Sequence, residues 1–180
     1  LPAAARESAV AFTINDLGYV GTGRGASGDL ADFWRYDPAT LIWTQRASLS
    51  NERRDAVSFV LDGKAFVSGG VEIDGGTFFL NDLLEYNEIL NEWNEKLIDG
   101  INLSFRDAAT FTLGDYAYIA YGNKDDIVRY DPISNSLENL GDLLLIDDED
   151  FGTRTNAVGF SKGDTAYFAL GRNGSDYFND

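Results

Sequence analysis

The chain has 180 residues, 44% hydrophobic and 24% charged, and 30 acidic against 14 basic side chains give a net charge of −16. That supplies apolar material for a core and sets disorder aside, while the charge balance repels nucleic acid and anionic lipid, and no apolar run reaches bilayer-spanning length. Without a single cysteine or histidine, disulfides, thiolate nucleophiles, Ser-His-Asp triads and most transition-metal sites are excluded, leaving carboxylate, Lys and Tyr for proton transfer.

From the N-terminus, a β-rich first strand is predicted over 9–14 (Ala9 to Ile14), turned by Asn15-Asp16 into a second over 18–21 that closes on Gly23. After eight residues Asp32 opens a third strand carrying Tyr36, Asp37-Pro38 turns the chain, and a fourth strand carries Trp43. The pattern then repeats. Ala56 and Phe59 lead to Asp62-Gly63, then to Phe66, Gly69-Gly70 and, eleven residues on, to Asp82, Tyr86 and Trp93. Ala108 and Phe111 lead to Gly114-Asp115, then to Tyr118, Gly122, Asp126 and Tyr130, with Leu137 where a Trp is expected. Ala157 and Phe160 lead to Gly163-Asp164, Tyr167 and Gly171, and Asp176 is read as the start of a third strand, which Asp180 would lie inside.

The periods between the leading alanines are 47, 52 and 49 residues. Four short strands joined by short turns form an antiparallel meander, and a single such sheet cannot cover both its faces, so copies pack face to face. Radial packing makes an all-β propeller of four-stranded antiparallel blades; the competing arrangement is a two-layer sandwich, which needs no repeat of this length. The units are placed at about 6–52, 53–104, 105–153 and an incomplete 154–180, within one partial propeller domain over 1–180. About three and a half blades are expected here, with the missing blades supplied by the rest of a longer chain or by another chain.

The Gly69-Gly70 pair, the following Tyr86 and the Trp93 seven residues later resemble the kelch repeat. The stretch from Gly18 to Gly23, with Asp32 to Trp43, is similar to kelch repeats of secreted and envelope proteins of Bacteroidetes-type bacteria. The resemblance covers essentially the whole chain. It implies a propeller with a binding role, and a secreted or cell-envelope location.

Strand alternation sorts the loops. Turns between the first and second strands, and between the third and fourth, lie at one end and keep constant spacing; the other connections vary in length and lie opposite. Loops of variable length on a rigid scaffold commonly carry recognition. On that face, at the entry to the first strands, are Arg6, Arg53 and Arg154, with Arg54 adjacent to the second and Arg106 displaced by one place. They are candidates for holding a carboxylate or other anion near a central channel. The competing assignment pairs each with a neighbouring blade's acid, such as Asp55 or Asp107. Phe78 and Phe79 in the eleven-residue loop, and Phe151, are candidate exposed aromatics. The recurring in-strand aromatics are core candidates rather than a sugar-stacking platform. Asp147-Asp148-Glu149-Asp150 is a weak calcium candidate, since it lacks the spacing of an EF-hand loop, and a solvated acidic loop is the favoured reading.

No repeated unit supplies a nucleophile, base and orienting group together, so the leading function is a non-enzymatic module recognising protein or glycan, without a cofactor. Galactose-oxidase-like copper chemistry needs His and a cross-linked Cys, both missing. A kelch-propeller enzyme of the sialic-acid mutarotase type, requiring an Arg-lined channel with an acid at its mouth, is compatible with the composition. So is a structural segment of a larger envelope protein.

Overall fold

The computed structural model describes residues 1–98, 100–120, 122, 126–142 and 154–177. It is all-β. In chain order the strands are β1 (Val10–Ile14), β2 (Leu17–Gly21), β3 (Arg24–Gly25), β4 (Gly28–Asp29), β5 (Phe33–Asp37) and β6 (Ile42–Arg46) in the first unit. The second unit holds β7 (Val57–Leu61), β8 (Lys64–Ser68), β9 (Val71–Ile73), β10 (Thr77–Phe79), β11 (Leu83–Asn87) and β12 (Glu92–Glu95). Then come β13 (Ala109–Leu113), β14 (Tyr116–Ala120), β15 (Asp126–Asp131) and β16 (Ser136–Asp142), and finally β17 (Val158–Lys162), β18 (Thr165–Ala169), β19 (Arg172–Asn173) and β20 (Asp176–Tyr177).

Three antiparallel four-stranded sheets result, ordered β1-β2-β5-β6, β7-β8-β11-β12 and β13-β14-β15-β16, and β17-β18 forms a two-stranded sheet. The first hairpins turn where the sequence is built for it: Asn15 and Asp16 take φ of 50° and 62°, Asp62 and Gly63 take 50° and 71°, the left-handed pair that matches strand twist. Each hairpin sets the two recurring aromatics directly opposite one another, Phe12 on Tyr19, Phe59 on Phe66, Phe111 on Tyr118 and Phe160 on Tyr167. The constant spacing of seven is therefore a cross-strand pair, and all four pairs stack.

The sheets pack face to face through these pairs, in a β-propeller-like arrangement with the first strands innermost. Tyr86 reaches from the second sheet onto Tyr19 and Phe33 of the first, and Trp93 meets Phe33 edge-on at 4.9 Å. Tyr130 of the third sheet does the same to Phe66 of the second. Two of the core clusters are built this way. One is centred on Tyr19, Phe33, Val67 and Tyr86, the other on Phe66, Leu83, Phe105, Ile119 and Tyr130.

The structure corrects two expectations. The connections after Gly23, Gly70 and Gly171 are not plain loops: each folds into a small hairpin, β3-β4, β9-β10 or β19-β20. Strands of two or three residues carry no detectable alternation, which is why the sequence pattern hid them. Asp176 therefore belongs to β20, paired with Asn173, and does not open a third strand. Counted instead to Asp180, the interval from Gly171 is eight residues, the same as from Gly23 to Asp32; Asp180 itself lies outside the described residues.

The leading alanine and closing glycine are one device. Gly70 has φ of 90°, and a Cβ built there would lie 2.7 Å from the Arg54 carbonyl oxygen and 3.0 Å from the Ala56 Cβ. Gly23 meets Glu7 and Ala9 in the same way, and Gly122 meets Arg106 and Ala108. Gly75 has a similar φ of 66° but open space around its would-be Cβ. Gly70→Ala is expected to cost at least about 2 kcal/mol in urea unfolding, against about 1 kcal/mol for Gly75→Ala. Equal losses would show that the close approach between second strand and first-strand entry is unimportant.

Candidate binding site at the inner rim

Three consecutive residues precede the leading alanine of each unit, and the structure gives each place its own task. The first place holds Arg6, Arg53, Phe105 and Arg154. Gly23, Gly70 and Gly122 donate their backbone N–H to the carbonyls of Arg53, Phe105 and Arg154 at 2.7, 2.7 and 2.6 Å, so each sheet is tied to the next through this residue. Arg106, expected to be a displaced member of the set, occupies the second place instead, and Phe105 stands in the first.

The first-place arginines are spent on the scaffold. Arg53 is wholly buried, its two terminal nitrogens each 2.7 Å from a carboxylate oxygen of Asp82, and Nη1 also donates to the Gly69 carbonyl at 3.1 Å. Arg6 repeats the geometry with Asp32, at 2.7 and 2.8 Å, and with the Thr22 carbonyl at 3.0 Å. Arg154 is buried and donates to the Leu170 carbonyl at 3.3 Å. The accepting carbonyls belong to residues with left-handed backbone, Thr22, Gly69 and Leu170 at φ of 58°, 62° and 64°, a conformation that turns the C=O toward the guanidinium. For Arg6 and Arg53 the acid is that of their own unit, Asp32 or Asp82, and not a neighbour's Asp55 or Asp107. The Arg6 guanidinium is the main cause holding the Asp32 carboxyl below the usual carboxylate range; burial opposes it, and the Trp34 indole N–H adds to it.

The second place holds Glu7, Arg54, Arg106 and Thr155, and it faces the small hairpins: Glu7 bridges to Arg24, Arg54 to Val71 and Thr155 to Arg172. Arg54 lies 3.7 Å from both Asp29 and Asp55. Asp29 in turn accepts the Ile73 N–H at 2.9 Å, fastening the first small hairpin to the second. The Arg106 guanidinium sits 5.7 Å over the Phe79 ring. Phe78 and Phe79 are on β10 and 56% and 47% exposed, with Ile73 across the hairpin at 45%.

The third place holds Ser8, Asp55, Asp107 and Asn156, all left-handed at φ of 53°, 57°, 53° and 61°. Their backbones join in series: Asp55 N–H donates to Ser8, Asp107 to Asp55, and Asn156 to Asp107, at 3.2, 2.9 and 3.0 Å. This chain brings the Asp55 and Asp107 carboxyls together. Burial chiefly pushes the Asp107 carboxyl above the ordinary range, with the Asp55 charge adding to it, while Arg106 and, more weakly, Arg172 pull it back. The rim thus sets a carboxyl pair among Arg54, Arg106 and Arg172, beside an exposed aromatic hairpin. Sequence reading singled out Arg54, Arg106, Phe78 and Phe79 but missed Arg172, whose hairpin was hidden. The calcium candidate Asp147, Asp148, Glu149 and Asp150, and Phe151, lie outside the described residues.

An acid whose folded-state pKa is raised releases its proton more readily when unfolded, so its penalty is absent at low pH and complete above the raised value. Asp107→Asn should therefore raise Tm at pH 7, with the gain shrinking toward zero near about pH 4. Asn suits the left-handed backbone and already stands at 156. A pH-independent effect in thermal melts would remove the strained-pair account.

Comparison with known proteins supplies fold and nothing narrower. No family model and no curated protein matches the chain. Among 165 matching solved chains, one described as "Structure of YjhT" superposes with a TM-score of 0.78 at 19% identity, over 94% of this chain and 60% of that one. The chain thus spans less than two thirds of that structure, and identity this low establishes a shared fold alone.

Proposed function

We propose that this chain is part of a kelch-type β-propeller, about three and a half blades of it, acting as a non-enzymatic module that binds a protein or glycan at the inner rim. The observation that carries this reading is the aromatic hairpin: Phe78 and Phe79 stand exposed on β10, with Arg106 5.7 Å from the Phe79 ring and Arg54 nearby on the second place. Exposed aromatics beside guanidinium groups suit a flat sugar face or peptide side chain bearing carboxylates, which Arg holds by paired hydrogen bonds. Within a chain of net charge −16, guanidiniums that stand beside exposed aromatics favour recognition of a defined acidic group over general adhesion. A secreted or envelope location fits this role and rests on the kelch resemblance.

A second reading, a sugar mutarotase-type enzyme, draws on the Asp55-Asp107 pair. Interconverting ring anomers needs a proton donor and acceptor near the ring oxygen and anomeric hydroxyl, and two neighbouring carboxyls are groups that can serve in these roles. Both readings place the ligand at the same rim and differ in the part given to Asp107.

Screening the chain against arrays of acidic glycans and acidic peptides tests the binding reading. A ligand found there should lose at least about tenfold in affinity with Arg106→Ala or Phe78→Ala, and change little with Arg129→Ala on the third sheet, away from the rim. Equal affinity for all three variants would place recognition elsewhere. Anomer exchange of an acidic sugar that is abolished by Asp107→Asn would favour the enzyme.

A further inference from the structure

The connection that carries the small hairpin has eight residues in the first unit, between Gly23 and Asp32, eleven in the second, between Gly70 and Asp82, and three in the third, between Gly122 and Asp126. It is shortest where the second unit's hairpin faces the third. β9 bridges to Arg54 and packs on β4 of the first unit, whereas β10 lies on the far side, with the Phe79 ring under Arg106 of the third unit.

Thr77, Phe78 and Phe79, the three residues of β10, are all exposed. Which of their backbone groups leave the hairpin follows from the register. Leu80 N–H donates to the Gly70 carbonyl at 3.0 Å, so these two form a hydrogen-bonded pair. The next pair, Phe79 with Val71, is then of the other kind, and its N–H and C=O groups point out of the hairpin. Val71 bears this out by exchanging two hydrogen bonds with Arg54 on the outer side of β9, at 2.9 and 3.0 Å. By the same alternation Thr77 opposes Ile73, whose N–H leaves the hairpin for the Asp29 carboxylate at 2.9 Å. Neighbours thus meet the outer side of β9 at both positions, and the outer side of β10 presents the N–H and C=O of Thr77 and Phe79 at the same spacing.

The side chains differ by face. Phe79 lies opposite the buried Val71 on the inner face, and Phe78 lies opposite Glu72 on the outer face, 56% exposed. Phe79 also holds the place that Asp29 holds one unit earlier, since each opposes the residue of its hairpin that bridges to the second place. Arg54 therefore meets a carboxylate, 3.7 Å away, where Arg106 meets a ring.

We propose that β10 takes an extended acidic peptide segment as an added antiparallel strand, with the peptide's carboxylate opposite Phe79 reaching Arg106 and the apolar residue beside it lying on Phe78. That carboxylate supplies to Arg106 what Asp29 supplies to Arg54. Neighbouring residues of a strand point to opposite faces, so the two demands fall on adjacent residues and fix the register of the segment. This inference rests on the binding reading of the rim and narrows its partner to a polypeptide, because a glycan has no row of amides to match Thr77 and Phe79.

The probe is a synthetic peptide with the sequence of residues 69–76, which contains β9, the strand that β10 already accepts on its other side, and sets a glutamate between valine and isoleucine. It is titrated into the isotope-labelled 180-residue chain and followed by amide chemical shifts. Saturable shifts at Thr77 and Phe79 are expected. Methylating the peptide's glutamate nitrogen, which faces β10 in this register, should weaken binding at least about fivefold, and methylating its isoleucine nitrogen, on the far side, should not. A glutamine peptide should bind the parent chain at least about fivefold more weakly, with no such difference on Arg106→Ala. Thr77→Pro, which deletes an outward N–H and leaves the bonds within the hairpin in place, should weaken binding as well. Shifts confined to other strands, equal effects of the two methylations, or no saturation of a chain that keeps its dispersed amide spectrum would each overturn the proposal. So would a dimer joined through β10 that the peptide does not dissociate. If array screening yields a ligand dependent on Arg106 and Phe78 while this peptide leaves the β10 amides unmoved, rim binding stands and strand addition fails; failure of both removes the rim reading too.

Discussion

A guanidinium with no solvent contact must find its acceptors inside the protein, and that constraint organises every unit that carries one. Arg53 takes both oxygens of Asp82 and the carbonyl of Gly69. To offer that carbonyl, the residue before the closing glycine adopts left-handed backbone, even where it is Thr22 or Leu170 rather than glycine, at a local cost of order 1–2 kcal/mol. The same residues also hold the acid in place: the N–H groups of Thr22 and Gly69 donate to the main-chain carbonyls of Asp32 and Asp82. The clamp therefore fixes the end of the second strand and the start of the third at once. Its own carbonyl receives the glycine N–H of the preceding sheet, which links neighbouring sheets. A buried ion pair of this kind is not in itself a large source of stability, since an apolar residue of similar volume often serves as well. Phe105 illustrates that substitution: it is fully buried in the clamp position of the third unit and joins the core with Leu83 and Leu103.

Because the first place is committed to the scaffold, the freedom of side chains to vary at the inner rim falls to the two places after it. Those are where the units differ most, with Glu7, Arg54, Arg106 and Thr155 in one and Ser8, Asp55, Asp107 and Asn156 in the other. The backbone of the innermost residues is nonetheless uniform, a series of amide-to-carbonyl bonds through left-handed residues. Uniform main chain with changing side chains confines the variation between units to side chains within these consecutive residues. The crowded Asp55-Asp107 pair is a place where stability is given up, in keeping with the general association of perturbed carboxyls and functional sites.

Much of the architecture was legible because its causes are local. Alternating strands, left-handed hairpin turns and the aromatic pair at a spacing of seven all act within one hairpin, and the alanine-glycine contact recurs at nearly constant separation. The clamp was illegible because Arg6 and Asp32 are 26 residues apart whereas Arg53 and Asp82 are 29 apart, the difference being absorbed by small hairpins too short to show a period. The missing hairpins also misplaced Asp176 and concealed Arg172 at the rim. The sequence shows Arg106 displaced by one place, and the backbone register set by the Phe105 carbonyl puts it with Arg54 rather than with Arg6, Arg53 and Arg154. Exposure at Phe78 and Phe79 was legible from the length of their loop alone.

The central claim is that the first-place guanidiniums belong to the scaffold through their acids. A double-mutant cycle on Arg53→Met and Asp82→Leu, measured by urea unfolding, tests it most directly. Each single change leaves one buried charge unpaired and should cost about 3–5 kcal/mol, while the double variant should recover at least about 2 kcal/mol of the summed loss. Strictly additive losses, or single variants as stable as the parent chain, would contradict the account.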